Sequence, residues 1–208
     1  MLSKKKMQVV LKKLSEEYPS PKPELEFESP FELLIATMLS AQTTDKQVNK
    51  CTRVLFPVYN TPEAFVALTE EELYPYIKTC GLYLTKGKNI IATCKLLLTE
   101  YGGEVPKTRE ELMKLPGVGR KTANVVISNA FHVPAIAVDT HVFRVSNRIG
   151  FANAKDVLKT EEQLMQNIPE KDWGDAHHWI IFHGRRVCYA RNPNCPGCCI
   201  SAECEYYT

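Results

Sequence analysis

Helix starts recur along this chain, and nothing in it signals paired strands. Ser29-Pro30-Phe31-Glu32 joins an N-cap serine, a proline at the first helical position and a glutamate placed to close a capping box. It leads into LLIATMLS, apolar nearly all round, which predicts a central helix. Thr69 with Glu72 and Thr108 with Glu111 repeat the box, and Thr61-Pro62 gives the cap and the proline without it. No Asn-Gly or Asp-Gly dipeptide separates two alternating runs, so strand hairpins are not signalled. The pattern predicts an all-α chain.

At 208 residues, 44% hydrophobic and 24% charged, the chain can bury one large core or two small ones. A net charge of +2 is too small to announce a polyanionic partner, so any nucleic-acid surface must come from local clustering. The start, MLSKKKMQVVLKKLSEEY, is basic, and Lys12 and Lys13 intervene before an apolar run reaches signal-peptide length. The expectation is a cytosolic protein, or a nuclear one in a eukaryote. Leu33 to Leu39 is the longest apolar stretch, and it is far below the ~20 residues that a spanning helix needs. No membrane segment is expected.

The stretch LPGVGRKTANVV, residues 115 to 126, puts glycines ahead of a helix and two cations in its first turn. Ala123, Val126, Ile127, Ala130 and Phe131 fall at the spacing of one buried stripe, with Lys121 on roughly the opposite side. By spacing alone Lys121 is a solvated surface charge. Gly117 and Gly119 permit positive φ and let backbone N–H groups project outward at the helix start, which makes a site for one phosphate. A plain helix-helix turn would also use them. A helix, a glycine hairpin and a second helix, with basic residues at 114, 120 and 121, suit a nucleic-acid backbone held without reading sequence.

Four of the eight cysteines stand near the end as Cys188-x6-Cys195-x2-Cys198-x5-Cys204. Close spacing in a cytosolic protein points to metal ligands rather than disulfides. Zinc and an iron-sulfur cluster both accept four thiolates, and Cys199, adjoining Cys198, leaves the ligand choice open. Cys51, Cys80 and Cys94 are scattered and read as buried hydrophobes.

Together with MLSAQTTD (38–45), GLYLTKGKNI (81–90) and AVDTHVFRVSNRIG (137–150), the hairpin and the cysteine tail resemble the endonuclease III family over nearly the whole chain. Its members are bifunctional DNA glycosylases and abasic-site lyases of base excision repair. The resemblance implies two helical domains with DNA in a cleft between them. One is a six-helix barrel with the helix-hairpin-helix, at 23–133; the other is a discontinuous iron-sulfur domain, at 1–22 and 134–208. It implies a [4Fe-4S] cluster on Cys188, Cys195, Cys198 and Cys204, with Cys199 a bystander. Double-stranded DNA carrying oxidised pyrimidines or abasic sites is the implied partner of a monomeric enzyme.

By the same resemblance Lys121 and Asp139 are catalytic, while Leu115, Gly117, Val118, Gly119, His141 and Arg191 contact DNA. Gln42 fills the space left by an extruded base, and Leu82 wedges between base pairs. Without the family, Gln42 would be a helix-terminal polar residue and Leu82 a core leucine. In the loop YARNPN (189–194), Arg191 is the only cation where relatives often carry more, with Arg185 and Arg186 just upstream.

The chemistry explains the residue types. An unprotonated amine must attack the sugar C1′, expel the base and form a Schiff base that permits β-elimination of the 3′ phosphate. With an ordinary lysine pKa near ~10.4, about one in 2,500 is neutral at pH 7; a pKa of ~8 would make it roughly a tenth. The helix start and Arg120 push in that direction. Asp139 would steady positive charge developing on the sugar and relay protons, and it can also cap the helix that follows it. A mismatch glycosylase of the same superfamily would work without the lysine; its adenine-removing relatives carry a glutamate where Ala36-Thr37-Met38-Leu39 stands here. A DNA-binding module with a redox-sensing cluster is the non-catalytic alternative.

Overall fold

A computed structural model describes residues 1–207, and no strand occurs among them. The helices are α1 (Lys4–Glu17), α2 (Pro30–Leu39), α3 (Asp45–Leu55), α4 (Pro62–Val66), α5 (Glu70–Ile77), α6 (Tyr83–Glu100), α7 (Arg109–Leu112), α8 (Arg120–Phe131), α9 (Thr140–Ile149), α10 (Val157–Asn167) and α11 (Trp173–Arg186). A 3-10 turn, Glu170–Asp172, precedes α11. The chain divides into two compact units: Pro23–Val133, and Met1–Lys22 together with the segment from Pro134 onward.

Local chemistry sets the ends of the helices. Ser29, Thr44, Thr61, Thr69 and Thr108 each accept a first-turn amide as N-cap. Only Thr69 with Glu72 makes the full reciprocal box. Glu32 instead reaches one residue further back and accepts from the Glu28 amide at 2.6 Å, while Glu111 accepts from the Thr108 hydroxyl at 2.7 Å. A carboxylate at the third helical position thus finds a nearby donor in each case, but the donor varies with the entering chain.

In the 23–133 unit α2 is the central element, with Phe31 to Leu39 all buried. It packs against α8, α6 and α3, and α6 in turn packs against α4 and α5. Leu33, Leu34, Ile35 and Leu39 of α2 are fully buried, as are Phe65, Leu73, Ile77, Ile90 and Leu97 from its neighbours. Each such side chain contributes about 1.5–3 kcal/mol relative to exposure.

The other unit is built around α11, which packs on both α9 and α1. Every residue from Ala176 to Gly184 is buried, including three histidines. Leu2, Met7, Val10, Leu11 and Leu14 from the chain's start complete a core with Ile136, Val142, Ile149 and Ile180. Polar side chains in so apolar a setting must be neutral or paired. Burial, aided by the nearby Arg185, pushes the His178 imidazole down to about 4.

That shift predicts an acid sensitivity. The unfolded chain, with an imidazole near ~6.5, binds the proton that the folded chain refuses, so stability present above ~6.5 is lost as pH falls toward 4, at up to about 1.4 kcal/mol per unit. Denaturant unfolding followed at pH 6.5 and pH 5 should show a smaller loss in His178→Leu than in the unaltered chain; equal losses would refute it.

Candidate functional site

The hairpin between α7 and α8 is pinned from below by α6. The buried Thr93 hydroxyl donates to the Pro116 carbonyl at 2.9 Å, and a Cβ on Gly117 would lie 2.7 Å from the Asn89 amide nitrogen. Gly117 has φ +76 and is fixed twice, by backbone conformation and by lack of space. Gly119 does not use the freedom that glycine gives: its backbone is extended (φ −92, ψ 176), and a Cβ there would meet nothing within 4 Å. Only one of the two glycines therefore serves the turn; at Gly119 the missing side chain leaves open surface.

Leu115 and Val118 are 2% and 5% exposed, so their side chains anchor the hairpin in the core and only their backbone can face a ligand. Gly119 is the N-cap of α8, without a side-chain acceptor, and α8 has no acid in its first turn. Lys121 stands there exposed. Such a helix start attracts an anion and disfavours a cation.

A second tip lies in the same unit. Gln42 (φ +54) and Leu82 (φ +59) both hold left-handed backbone, a costly state for non-glycine residues that is common at functional sites. Leu82 is 57% exposed, which excludes a core role. Gly81 lies against the Gln42 carbonyl, 3.5 Å from where a Cβ would be, so the two tips are neighbours. Beneath them the buried Lys86 ammonium donates to the Leu39 carbonyl (2.8 Å) and the Thr43 hydroxyl (3.0 Å). Its burial lowers its pKa, and sequence spacing gave no sign of its part in supporting the loop.

In the other unit Asp139 is the N-cap of α9, accepting the Val142 amide at 2.7 Å. His141, in the first turn, is half-buried, with Nδ1 3.3 Å from the Arg144 guanidinium. At the far end of α9, Arg148 donates to the carbonyls of Tyr189 (2.7 Å) and Ala190 (3.0 Å) and fixes the start of the 189–194 loop. Arg191 is exposed in that loop, whereas the Arg186 guanidinium stacks on Phe182, 4.5 Å from its centroid.

Cys188, Cys195, Cys198 and Cys204 line one cavity, walled also by Ile149, Val187, Pro193 and Tyr206. It encloses about 300 Å³ counted to its mouth. Cys199 is not among its walls. Among the described residues no three His, Cys, Asp or Glu side chains converge closely enough to bind a single ion. A hydrogen bond with Cys199, then burial, pushes the Cys198 thiol up to about 12, and burial raises Cys204. His183 bridges outward from the cavity, with Nε2 3.4 Å from Cys198 Sγ and Nδ1 3.1 Å from the Tyr18 hydroxyl.

A model of the HhH-GPD superfamily of base excision DNA repair proteins matches residues 35–170. Over 205 residues the chain is 54% identical to proteins named endonuclease III from Haemophilus influenzae and from Escherichia coli K12, covering 99% of this chain and 97% of each relative. The chain belongs to the endonuclease III family. A solved structure of a trapped endonuclease III–DNA covalent intermediate is 50% identical with a TM-score of 0.95, covering 100% of this chain and 98% of that one. A thermostable thymine-DNA glycosylase shares the fold at 25% identity with a TM-score of 0.89, covering 98% and 97%.

The hairpin's two glycines should separate in the laboratory. Gly117→Val should cost several kcal/mol of stability, since it adds both strain and a clash with Asn89. Gly119→Val, in extended backbone with free space, should cost only the ~1 kcal/mol of replacing an N-cap glycine. Equal destabilisation by both would refute the assignment.

Proposed function

We propose that this chain is a bifunctional DNA glycosylase and abasic-site lyase that excises oxidised pyrimidines and cleaves 3′ to the resulting abasic site by β-elimination. One observation carries the reading: an exposed lysine in the acid-free first turn of α8, in a chain that shares half its residues and its fold with a protein trapped covalently on DNA. Covalent trapping needs a nucleophile, and Lys121 supplies an amine beside a glycine-capped anion site.

Nζ of Lys121 attacks C1′ of an extruded nucleotide; the base departs with the C1′–N bond's electron pair and takes a proton from the attached amine, the sugar ring then opens as the C1′–O4′ bond breaks and O4′ is protonated, and the resulting protonated imine acidifies the C2′ proton. Loss of that proton expels the 3′ phosphate; water then releases the lysine. Asp139 steadies the positive charge on the sugar as the base leaves, and its tie to the Val142 amide fixes the carboxylate's direction. Backbone groups at Gly117 and Gly119 hold a phosphate, which grips DNA without selecting sequence. Gln42 and Leu82, neighbouring tips on strained backbone, take the place of the extruded base and part the stack; His141 and Arg191 add contacts. A non-catalytic binder would need no amine at the helix start.

The four cysteines fit a [4Fe-4S] cluster. A single ion with thiolate bonds of ~2.3 Å would draw four sulfurs within roughly 4 Å of one another. Here the sulfurs are spread around a cavity, and their buried thiols gain from a cation that stabilises the thiolate. When bound, the cluster supplies four iron–thiolate bonds and a fixed positive core that orders the tail. His183 would then direct its Nε2 proton at the Cys198 sulfur, because the Tyr18 phenol, kept protonated by burial, donates to Nδ1.

Two experiments test this reading. Lys121→Gln should abolish borohydride trapping and strand cleavage while the protein still binds damaged duplex; Asp139→Asn should slow base release by ~10²–10⁴-fold with stability unchanged, since Asn caps as well as Asp. Trapping that persists in Lys121→Gln would show that another amine is the nucleophile. Separately, purified protein should be yellow-brown with about four irons per chain; Cys199→Ser should keep them and Cys198→Ser should lose them. A colourless folded protein with one zinc would overturn the cluster assignment.

A further inference from the structure

Two of the cysteines that read as isolated hydrophobes meet. Cys51 on α3 and Cys80 after α5 are 29 positions apart, yet their sulfurs lie 3.6 Å from each other, with Cys80 donating to Cys51. The Thr79 hydroxyl (3.1 Å) and, more distantly, the Gln47 amide (3.9 Å) also reach the Cys51 sulfur. Cys80 is fully buried, and Cys51, 6% exposed, borders an open cleft between α3 and α5 together with Gln47, Tyr76 and Thr79. The cleft measures about 730 Å³ to its mouth, room for a small oxidant to reach Cys51 first. Burial and the bond to Cys51 push the Cys80 thiol up to about 12, which keeps it a donor, and the nearby Lys86 ammonium acts in the opposite sense.

We propose that Cys51 and Cys80 are an oxidisable pair that closes to a reversible disulfide when a hydroperoxide reaches Cys51, and that the closed form grips DNA less well. The Cys51 sulfur attacks the peroxide O–O bond, becoming a sulfenic acid as water or an alcohol leaves. The Cys80 sulfur then attacks that sulfur, the S–O bond breaks, and a second water departs with the Cys80 proton. Two thiols lose two electrons in all, and the peroxide accepts them. A dithiol reverses the step by exchange.

Closing the pair from 3.6 Å to ~2.05 Å moves the sulfurs by roughly 1.5 Å. Cys80 is two residues from Leu82, and the intervening Gly81 rests on the Gln42 carbonyl. The displacement therefore falls on both strained tips. The bond stands on the thiol geometry alone; its effect on DNA rests on the roles assigned above to Gln42 and Leu82.

The test treats the intact, cluster-loaded protein with hydrogen peroxide, quenches with an alkylating agent, and maps tryptic peptides. Segment 51–53 should be recovered joined to segment 79–86, and dithiothreitol should release it, while Cys94 is recovered alkylated. Binding to a duplex with an abasic-site analogue should weaken severalfold on oxidation, recover on reduction, and stay unaffected by peroxide in Cys51→Ser. Recovery of the two cysteines unlinked, with Cys51 as a thiol or a sulfinic acid, overturns the pair. A linked peptide with unchanged affinity, or the same loss in Cys51→Ser, overturns the control of binding. Reduced protein that does not bind the duplex overturns the DNA reading and leaves the pair to the peptide map.

Discussion

The imidazole of His183 ties the discontinuous unit to itself. One ring nitrogen meets Tyr18, at the end of the chain's first helix, and the other meets Cys198 in the cysteine tail. Both contacts lie in a core where unpaired polar atoms are costly, so the two ends of the chain are held to one buried side chain. Tyr18 also packs edge-on against Phe182, and Arg186 covers the same pair of rings. Order in the tail thus depends on residues 165 and more positions away. Of the three histidines in HHWIIFHG, His183 is the one that makes these two contacts.

The 23–133 unit solves a different problem, that of presenting backbone rather than side chains. Its hairpin holds leucine and valine inward, rests one glycine on Asn89 and leaves the other bare. Lys86 does similar work beneath the second tip, spending a buried ammonium on a carbonyl and a hydroxyl so that Gln42 and Leu82 can stand on strained backbone. Rigid support under exposed tips is what a protein needs if inserting them into stacked bases is to distort the DNA and not the protein.

Local signals made most of the helices legible, because caps, prolines and apolar periodicity act within a few residues. The central place of α2 followed from its apolar surface, and the N-cap role of Asp139 from its spacing. What failed to show in the sequence was tertiary. Leu82 reads as core by type, yet its position at a left-handed helix entry turns it outward. Gly119 reads like Gly117, but φ depends on how the hairpin meets α6. Leu115 and Val118 carry the family's pattern and contribute packing through their side chains. Lys86 and the meeting of Cys51 with Cys80 left no local trace, since each joins segments far apart along the chain.

Helix α9 bears the cap carboxylate Asp139 at its entry and Arg148, clamp of the 189–194 loop, in its last turn. It works as a ruler with an angular scale: each residue advances ~1.5 Å and turns ~100°. Substitutions along its outer face leave that scale intact. One inserted or deleted residue would swing the carboxylate a quarter-turn or more away from the loop's frame, so the length of α9, more than its composition, fixes where the carboxylate stands relative to the loop.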